Sequence, residues 1–179
     1  MPDSLLAWFN RYTDDPKKVE VTVAGRPVLL YEPKEEPPSD DDADEDYQFR
    51  TQSGLTMPML GGGEPMAVVI EKTKDNAFQR RVTVGRTKNN DIVLDDVSVS
   101  RFHAWLQEEA GVWAVIDAGS RNGTWVGGKR LDPRVRTALA SGSRVRIGAV
   151  ELTFFSAEAF IKMLRLKLEG IPAARPSAR

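Results

Sequence analysis

One histidine, His103, lies in the stretch SVSRFHAW, where an arginine and two serines make it a candidate catalytic base. The chain has no cysteine, so a Cys/His dyad is excluded and any Ser-His-Asp triad must use His103. No serine lies in a Gly-x-Ser-x-Gly motif. A single histidine also excludes metal sites built on three histidines or on HExxH. We therefore expect no enzymatic activity, no metal and no cofactor.

Arginine, serine and asparagine recur in three loop-like stretches, which contain Arg86, Ser100-Arg101 and Arg121-Asn122. Each stretch alone is explained by an ordinary turn or strand end. Successive loops at one end of a sandwich lie close together, however, and these three would then form a patch of guanidinium, hydroxyl and amide donors. Such a patch without an acidic residue suits a bound dianion, since arginine matches phosphate in charge and shape.

The elements that must position these loops are short strands between residues 65 and 156. They are rich in β-branched and aromatic residues and are separated by turn residues. No connection is long enough for the crossover helices of an α/β fold. The pattern predicts a mainly β protein, an antiparallel β-sandwich. The runs are MAVVIEK, RRVTVG, DIVL, HAWLQE, VWAVID, TWVGG, SRVRIG and VELTFF.

Residues 1–32 are predicted to form a small N-terminal piece made of a helix and a β-hairpin. Ser4 is a candidate N-cap for a helix with Leu5, Leu6 and Phe9 on one face. The runs VEVTV and RPVLLYE, joined at Ala24-Gly25, resemble two hairpin strands. A piece of this size buries too little apolar surface to be stable without docking.

Residues 33–64 are predicted to be a flexible linker, because proline, an acidic run and a triple glycine dominate them. The acidic run is not an EF-hand, since Tyr47 and Ser53 occupy the positions that require glycine and glutamate. The triple glycine lacks the Lys-Ser/Thr of a P-loop.

Residues 157–179 are predicted to form a C-terminal helix, which ends near Gly170, followed by a disordered tail. Phe160, Leu164 and Leu168 recur every four residues and give the helix an apolar stripe. This stripe could dock on the sandwich, contact a partner or touch an anionic membrane surface.

Charge is divided unevenly along the 179 residues, although the net charge is −1. Residues 1–60 contain 6 Lys/Arg against 13 Asp/Glu, and residues 61–179 contain 19 against 13. This division indicates an anion-binding body with an acidic appendage. The sequence shows no secretory signal and no apolar run near the ~18 residues of a membrane span, so we expect a cytoplasmic protein without membrane insertion.

The ordered set GR…DIVL…VSVSRFHAWL…VWAVIDAGSRNGTWVGGKRL resembles the forkhead-associated (FHA) domain, and we expect a bacterial member. The resemblance covers about residues 66–156. It implies a β-sandwich of eleven strands that binds phosphothreonine peptides through loops at one end.

The resemblance also implies a role for each matching residue. Arg86 would pair with the phosphate and Ser100 would donate its hydroxyl to it. Arg101 and Arg121 would contact the phosphate or the peptide near it, and Asn122 would bond to the main chain of the ligand. The residues expected to hold the loops in shape are Gly85, His103, Gly123 and Thr124.

One position departs from the family pattern. Gly127 stands where asparagine is common, which predicts a looser turn but intact binding. Two places remain open for reading the ligand residue three positions after the phosphothreonine: Val97 with Ser98, or the loop 127–130.

The favoured hypothesis is a non-enzymatic adaptor that binds phosphothreonine proteins, the partners being a Ser/Thr kinase or its substrates. The linker threonines Thr51 and Thr56 are possible phosphosites, through which the site would capture its own linker or that of a neighbouring molecule. The alternative is a phosphate-independent scaffold module of a larger assembly. Nucleic-acid binding is disfavoured, because the positive charges are scattered and no basic-aromatic groove is evident.

Overall fold

A computed structural model describes residues 3–33, 64–73 and 78–169. In these ranges the chain forms three helices and twelve strands. The helices are α1 (Leu5–Asp14), α2 (Pro16–Val23) and α3 (Ala157–Glu169). The strands are β1 (Asp3–Ser4), β2 (Val28–Tyr31), β3 (Met66–Val69), β4 (Val82–Gly85), β5 (Ile92–Val93), β6 (Ala104–Glu109), β7 (Val112–Asp117), β8 (Thr124–Val126), β9 (Lys129–Arg130), β10 (Thr137–Ala138), β11 (Ser143–Ile147) and β12 (Val150–Phe155).

Two sheets face each other and enclose the main hydrophobic core. The first has the strand order β1-β3-β2-β12-β11-β8-β9, and the second has the order β10-β7-β6-β4-β5. All the recorded pairings are antiparallel except that of β4 with β5. The predicted sandwich is therefore confirmed, with one parallel pair at the edge of the smaller sheet.

Each of the eight predicted runs contains a strand, from β3 to β8 and then β11 and β12. The alternation of apolar and polar residues determines which side chains of these strands point into the core. In β12, Val150, Leu152 and Phe154 are buried in the core between the sheets, whereas Glu151 is exposed on the other face.

The prediction of an N-terminal hairpin is wrong, because VEVTV belongs to helix α2. Asp15 caps this helix by accepting a hydrogen bond from the Lys18 amide, and Pro16 occupies its first turn. Val19 and Val23 are buried one helical turn apart, whereas Val21 is 74% exposed. A strand would have placed all three valines on one face, so the spacing of four decides in favour of the helix.

Strand β2 lies inside the first sheet, between β3 and β12. Its Leu29 is part of the core between the sheets. Val28 and Leu30 point to the opposite side, into a second core under the helices. Residues 65–156 supply ten strands, β3–β12, so the N-terminal segment completes the larger sheet and does not dock as a separate hairpin.

Helices α1, α2 and α3 cover part of the outer face of the larger sheet. Trp8 of α1 and Phe160 of α3 meet edge to face, with ring centroids 5.5 Å apart. Phe160 and Leu164 are fully buried, so the apolar stripe of α3 docks on the sandwich. Gly170, predicted to end this helix, lies outside the described residues. Among the helices that the structure describes, none is long and apolar enough to cross a membrane.

Candidate functional site

The three predicted donor loops meet at one end of the sandwich. Arg86 follows β4, Ser100 and Arg101 precede β6, and residues 119–122 join β7 to β8. Their side chains surround a concave site of about 520 Å³. Its wall contains all five residues expected to contact a ligand, together with four neighbours: Arg86, Ser100, Arg101, Arg121, Asn122, Val97, Ser98, Phe102 and Gly119.

The charge of this site comes from three exposed guanidiniums, on Arg86, Arg101 and Arg121. Among the residues that the structure describes, none forms an ion pair or a hydrogen bond with these three guanidiniums. No acidic residue lies in the wall. The site therefore offers uncompensated positive charge in a form suited to an anion with several oxygens.

Ser100 lies between the other two donor loops and accepts a backbone amide hydrogen bond from each of them. The Arg86 amide donates to the Ser100 carbonyl at 3.0 Å. The Arg121 amide donates to the Ser100 hydroxyl oxygen at 3.1 Å. Because that oxygen accepts this bond, the hydroxyl proton is left to donate to a ligand.

His103 is fully buried directly behind Ser100. Its Nδ1 accepts a hydrogen bond from the Ser100 amide at 3.0 Å, and its Nε2 lies 2.9 Å from the Gly123 carbonyl. The ring is therefore neutral, with its proton on Nε2, and joins the loop before β6 to the loop before β8. Burial lowers the pKa of His103, against the opposing effects of the Gly123 carbonyl and Asp117.

Asp117 organises the loop between β7 and β8. Its carboxylate accepts hydrogen bonds from the Gly119 amide, from the Ser120 amide and hydroxyl, and from the Thr124 hydroxyl. Burial alone would raise the pKa of this carboxyl, but the hydrogen bonds outweigh it and the pKa lies below its ordinary value. The buried Thr124, expected to support the site, thus acts through Asp117.

Gly85 allows two loops to approach closely. A Cβ atom at this position would lie 2.4 Å from the Arg101 carbonyl oxygen and 2.8 Å from Asn90 Nδ2. Asn90 is itself buried and donates to the carbonyl oxygens of Thr87 and Arg101. Asn90 is not recognisable as a site residue from the sequence, because an asparagine in TKNND has the composition of an ordinary turn.

Asn122 is already partly engaged by the protein. Its Nδ2 donates to the Ser98 carbonyl at 2.7 Å, which leaves one N–H and the amide oxygen for a ligand. Ser98 is in turn fixed by Asp96, which accepts from its amide and hydroxyl, and by the Ala149 amide. Asp96 was also missed, although the spacing Asp-x-Ser is typical of a side-chain-capped turn.

Gly123 before β8 is required by a close contact, whereas Gly127 and Gly128 after β8 form a turn. Gly123 has φ +88°, and a Cβ there would lie 2.7 Å from Arg130 Nε. Gly127 has φ +57° and Gly128 has φ +82°, in a two-residue connection between the paired Val126 and Lys129. These angles are those of a type I′ hairpin turn, which asparagine also adopts. The replacement at Gly127 therefore preserves the turn.

The two expected phosphosites, Thr51 and Thr56, lie outside the described residues. Strand β2 runs antiparallel to β12, so Tyr31 at its end lies toward Ala149, whose amide donates to the Ser98 hydroxyl in the wall of the site. Burial, and secondarily the negative charge of Asp96, raises the pKa of Tyr31. In the described ranges no group of three or more potential ligands could hold a metal ion.

Comparison with known proteins defines the class to which this fold and site belong. Residues 82–148 match the family model of the FHA domain. Over 111 residues, 58% of this chain and 73% of its relative, the sequence is 46% identical to the oxoglutarate dehydrogenase inhibitor of Corynebacterium diphtheriae. The chain belongs to the FHA domain family.

Further relatives cover smaller parts of each chain. The glycogen accumulation regulator GarA of Mycolicibacterium smegmatis is 40% identical over 96 residues, which are 50% of this chain and 59% of GarA. Among solved structures, Mycobacterium tuberculosis EmbR in complex with a low-affinity phosphopeptide matches with a TM-score of 0.40 and 34% identity. That match covers 43% of this chain and 20% of EmbR.

Proposed function

We propose that this protein is a non-enzymatic adaptor that binds phosphothreonine-containing proteins downstream of Ser/Thr kinases. The observation that carries the proposal is the meeting of three guanidiniums and the Ser100 hydroxyl in one concave site with no acid in its wall. A phosphorylated side chain brings close to two negative charges and several acceptor oxygens to such a site.

Each residue then has a distinct part in binding. Arg86 pairs with the phosphate, and Ser100 donates its hydroxyl proton to a phosphate oxygen. Arg101 and Arg121 add charge at the rim. Asn122 uses its remaining amide groups on the ligand main chain, while Ser98 holds it in place. Hydrogen bonds to charged groups contribute about 1.5–3 kcal/mol each.

The supporting residues act through the geometry of the loops. Gly85 permits the contact between the loops that carry Arg86 and Arg101. His103 and Gly123 join the Ser100 loop to the loop before β8. His103 is not placed to act on the ligand, because it is buried and both of its ring nitrogens are engaged.

The relatives suggest which partners to test first. One is named as an inhibitor of oxoglutarate dehydrogenase and another as a regulator of glycogen accumulation. A metabolic enzyme, a Ser/Thr kinase or a substrate of that kinase is therefore the partner class that we propose. The cytoplasm is the matching location, and the absence of cysteine suits a reducing compartment.

The test compares Arg86→Ala with the wild-type protein on a degenerate phosphothreonine peptide library, by fluorescence anisotropy. We expect at least a tenfold loss of affinity, which corresponds to about 1.4 kcal/mol. The matched control is Arg144→Ala, since Arg144 is an exposed arginine of β11 that is not in the wall of the site. Equal affinity of the Arg86 variant and the wild type would refute the site assignment.

A second experiment separates the adaptor from a phosphate-independent scaffold. Wild type and Arg86→Ala are used to capture partners from a cell extract before and after phosphatase treatment. The adaptor loses its partners with either change. A scaffold that docks through the helices keeps the same partners in all four conditions.

The self-capture hypothesis belongs to the same proposal. After treatment with a Ser/Thr kinase, phosphorylated Thr51 or Thr56 would occupy the site and lower the affinity for added peptide at every protein concentration. Replacing both threonines with valine should abolish that loss. Binding that is unchanged by the kinase would contradict self-capture and leave the adaptor function untouched.

A further inference from the structure

Three aromatic rings form a continuous stack that begins at the wall of the phosphate site. The rings of Phe78 and Phe102 lie 5.3 Å apart with an interplanar angle of 10°. Those of Phe102 and Trp105 lie 6.1 Å apart with an angle of 9°. Phe102 lines the site and immediately follows Arg101, so the stack continues the binding surface away from the phosphate contacts.

The stack lies on the outer face of the smaller sheet. Ala104 and Leu106 of β6 point into the core, and Trp105 between them therefore points outward. Phe78 is 38% exposed. The arrangement places the three rings on the outer side of the sandwich, with Phe102 and Trp105 half-buried, beside the loop that carries Ser100 and Arg101.

The position of the rings is fixed from both sides. The Arg81 guanidinium lies 4.6 Å from the centroid of the Trp105 ring and 5.9 Å from that of Phe78. Phe102 lies between Arg101, whose carbonyl accepts from Asn90 and Thr87, and the buried His103. A surface held in this way loses little entropy when a ligand binds to it.

Packing between neighbouring rings explains the stability of the stack. It does not explain why Phe102 also lines the ligand site. Phe102 packs nearly parallel to both neighbouring rings and also lines the site, so part of its ring faces the ligand. An accessible aromatic ring pairs well with another aromatic ring, either offset-stacked or edge to face.

We propose that the Phe78–Phe102–Trp105 stack is a specificity-determining surface that binds an aromatic side chain flanking the phosphothreonine of the ligand. This inference rests on the proposed function. An extended ligand advances about 3.3 Å per residue, so a side chain within a few positions of the phosphothreonine passes the wall at Phe102. The preferred ligand is a phosphothreonine peptide with phenylalanine, tyrosine or tryptophan close to the phosphorylated residue.

The test uses a set of phosphothreonine peptides with alanine at every flanking position, into which one phenylalanine is introduced at each of four positions on either side. Dissociation constants are measured by fluorescence anisotropy. We expect the wild type to prefer phenylalanine over alanine at one or more positions by about threefold or more. Phe102→Ala should remove this preference while the all-alanine phosphopeptide still binds.

Two further variants distinguish ligand contact from a change in the loop. Phe78→Ala leaves the wall of the site intact and should reduce the preference, because it removes a ring that packs against Phe102 and forms part of the stack. Val135→Ala, a change at an exposed valine outside both the wall of the site and the stack, should keep the preference. If Phe102→Ala does not fold, Phe78→Ala decides the question.

The outcomes separate this inference from the proposed function. A wild type that binds the all-alanine phosphopeptide but shows no aromatic preference overturns the stack proposal alone. A preference that persists in both Phe102→Ala and Phe78→Ala also overturns it. If neither the all-alanine nor any phenylalanine-containing phosphopeptide binds the wild type, the proposed function itself fails.

Discussion

At the scale of single residues, His103 illustrates how a buried side chain supports a site that it does not enter. Its two ring nitrogens join Ser100, which contacts the proposed ligand, to Gly123 in the neighbouring loop. Protonation of Nδ1 would place a donor against the Ser100 amide and break that link. The conformation of the Ser100 loop therefore depends on the protonation state of the His103 ring.

This arrangement predicts a pH dependence of stability. The pKa of His103 is lowered by burial from an ordinary value of 6.5, so below pH 6.5 the unfolded chain binds a proton that the folded protein does not. Protonation therefore favours unfolding, and the free energy of unfolding falls as the pH drops through this range, by at most about 1.4 kcal/mol per pH unit.

Urea denaturation at pH 7.5 and pH 5.5 checks the prediction, with His103→Ala as the comparison. The variant should be less stable at pH 7.5, because the Ser100 amide and the Gly123 carbonyl lose their partner at about 1–3 kcal/mol each. It should also lack the part of the pH dependence that the wild type shows in this window. Equal losses in both proteins would mean that another group titrates. Asp117 is not that group, since its lowered pKa acts below pH 3.8.

Residue types and spacing predict that Arg86, Ser100 and Asn122 come together, and the structure places all three in one wall. Their contact with a ligand stays a prediction, which rests on the resemblance and on the donor chemistry of these side chains. Asn90 and Asp96 were not predictable, because their importance comes from bonds to backbone atoms that are distant in sequence or from a local turn. A loop asparagine gives no sign in the sequence of which carbonyl it will meet.

At the scale of elements, the helix α2 shows where a sequence pattern is ambiguous. The valines of VEVTV satisfy both the strand period of two and the helical spacing of four. The signal that separates the two lies upstream, in Asp15-Pro16, an N-cap followed by proline in the first turn. The β-branched valines and threonine of VEVTV favour a strand by propensity. That propensity is a weaker guide than the N-cap and the proline that precede them.

The strands were predictable for a complementary reason. In β12 apolar and polar residues alternate from Val150 to Phe154, and a turn at Gly148 precedes the run. The insertion of β2 into the larger sheet was not predictable, because the pairing of Val28–Tyr31 with β12 joins segments more than a hundred residues apart.

The helical layer gives a prediction at this scale. Trp8→Ala should lower the free energy of unfolding by about 3–5 kcal/mol, since it removes a fully buried ring and leaves a cavity against Phe160. Urea denaturation measures the loss. The matched control is Leu6→Ala on the exposed face of the same helix, which should change stability by less than about 0.5 kcal/mol.

Phosphopeptide affinity should be the same in the Trp8 variant and the wild type at temperatures where both are folded, since Trp8 lies in the core under the helices and not in the wall of the site. A change in affinity that parallels the change in stability would show that the helical layer and the loops are coupled.

At the scale of the whole molecule, the two hydrophobic cores share one strand. Leu29 of β2 belongs to the core between the sheets, and its neighbours Val28 and Leu30 belong to the core under the helices. Loss of β2 would therefore open both cores at once. We expect the sandwich and the helical layer to unfold together as one cooperative unit.

Native-state hydrogen exchange tests this expectation. The most protected amides of α1, β2 and β6 should exchange with the same free energy of opening and respond equally to urea. A lower opening free energy confined to α1 and β2 would instead show that the N-terminal segment opens independently of the sandwich.

The pairing of β2 with β3 has a consequence for how this chain can vary. Tyr31 and Met66 are paired across neighbouring strands, so the two ends of the segment that joins β2 to β3 are adjacent. Both lie toward the candidate site, because β2 runs antiparallel to β12 and ends toward Ala149, which contacts Ser98. Closing a longer flexible loop between fixed ends costs only about 0.6 kcal/mol for each doubling of its length. A change in the length of this connection should therefore cost little as long as Tyr31 and Met66 stay paired. The connection is an insertion point at which sequences for new signals can be added close to the site without a change in the sheet.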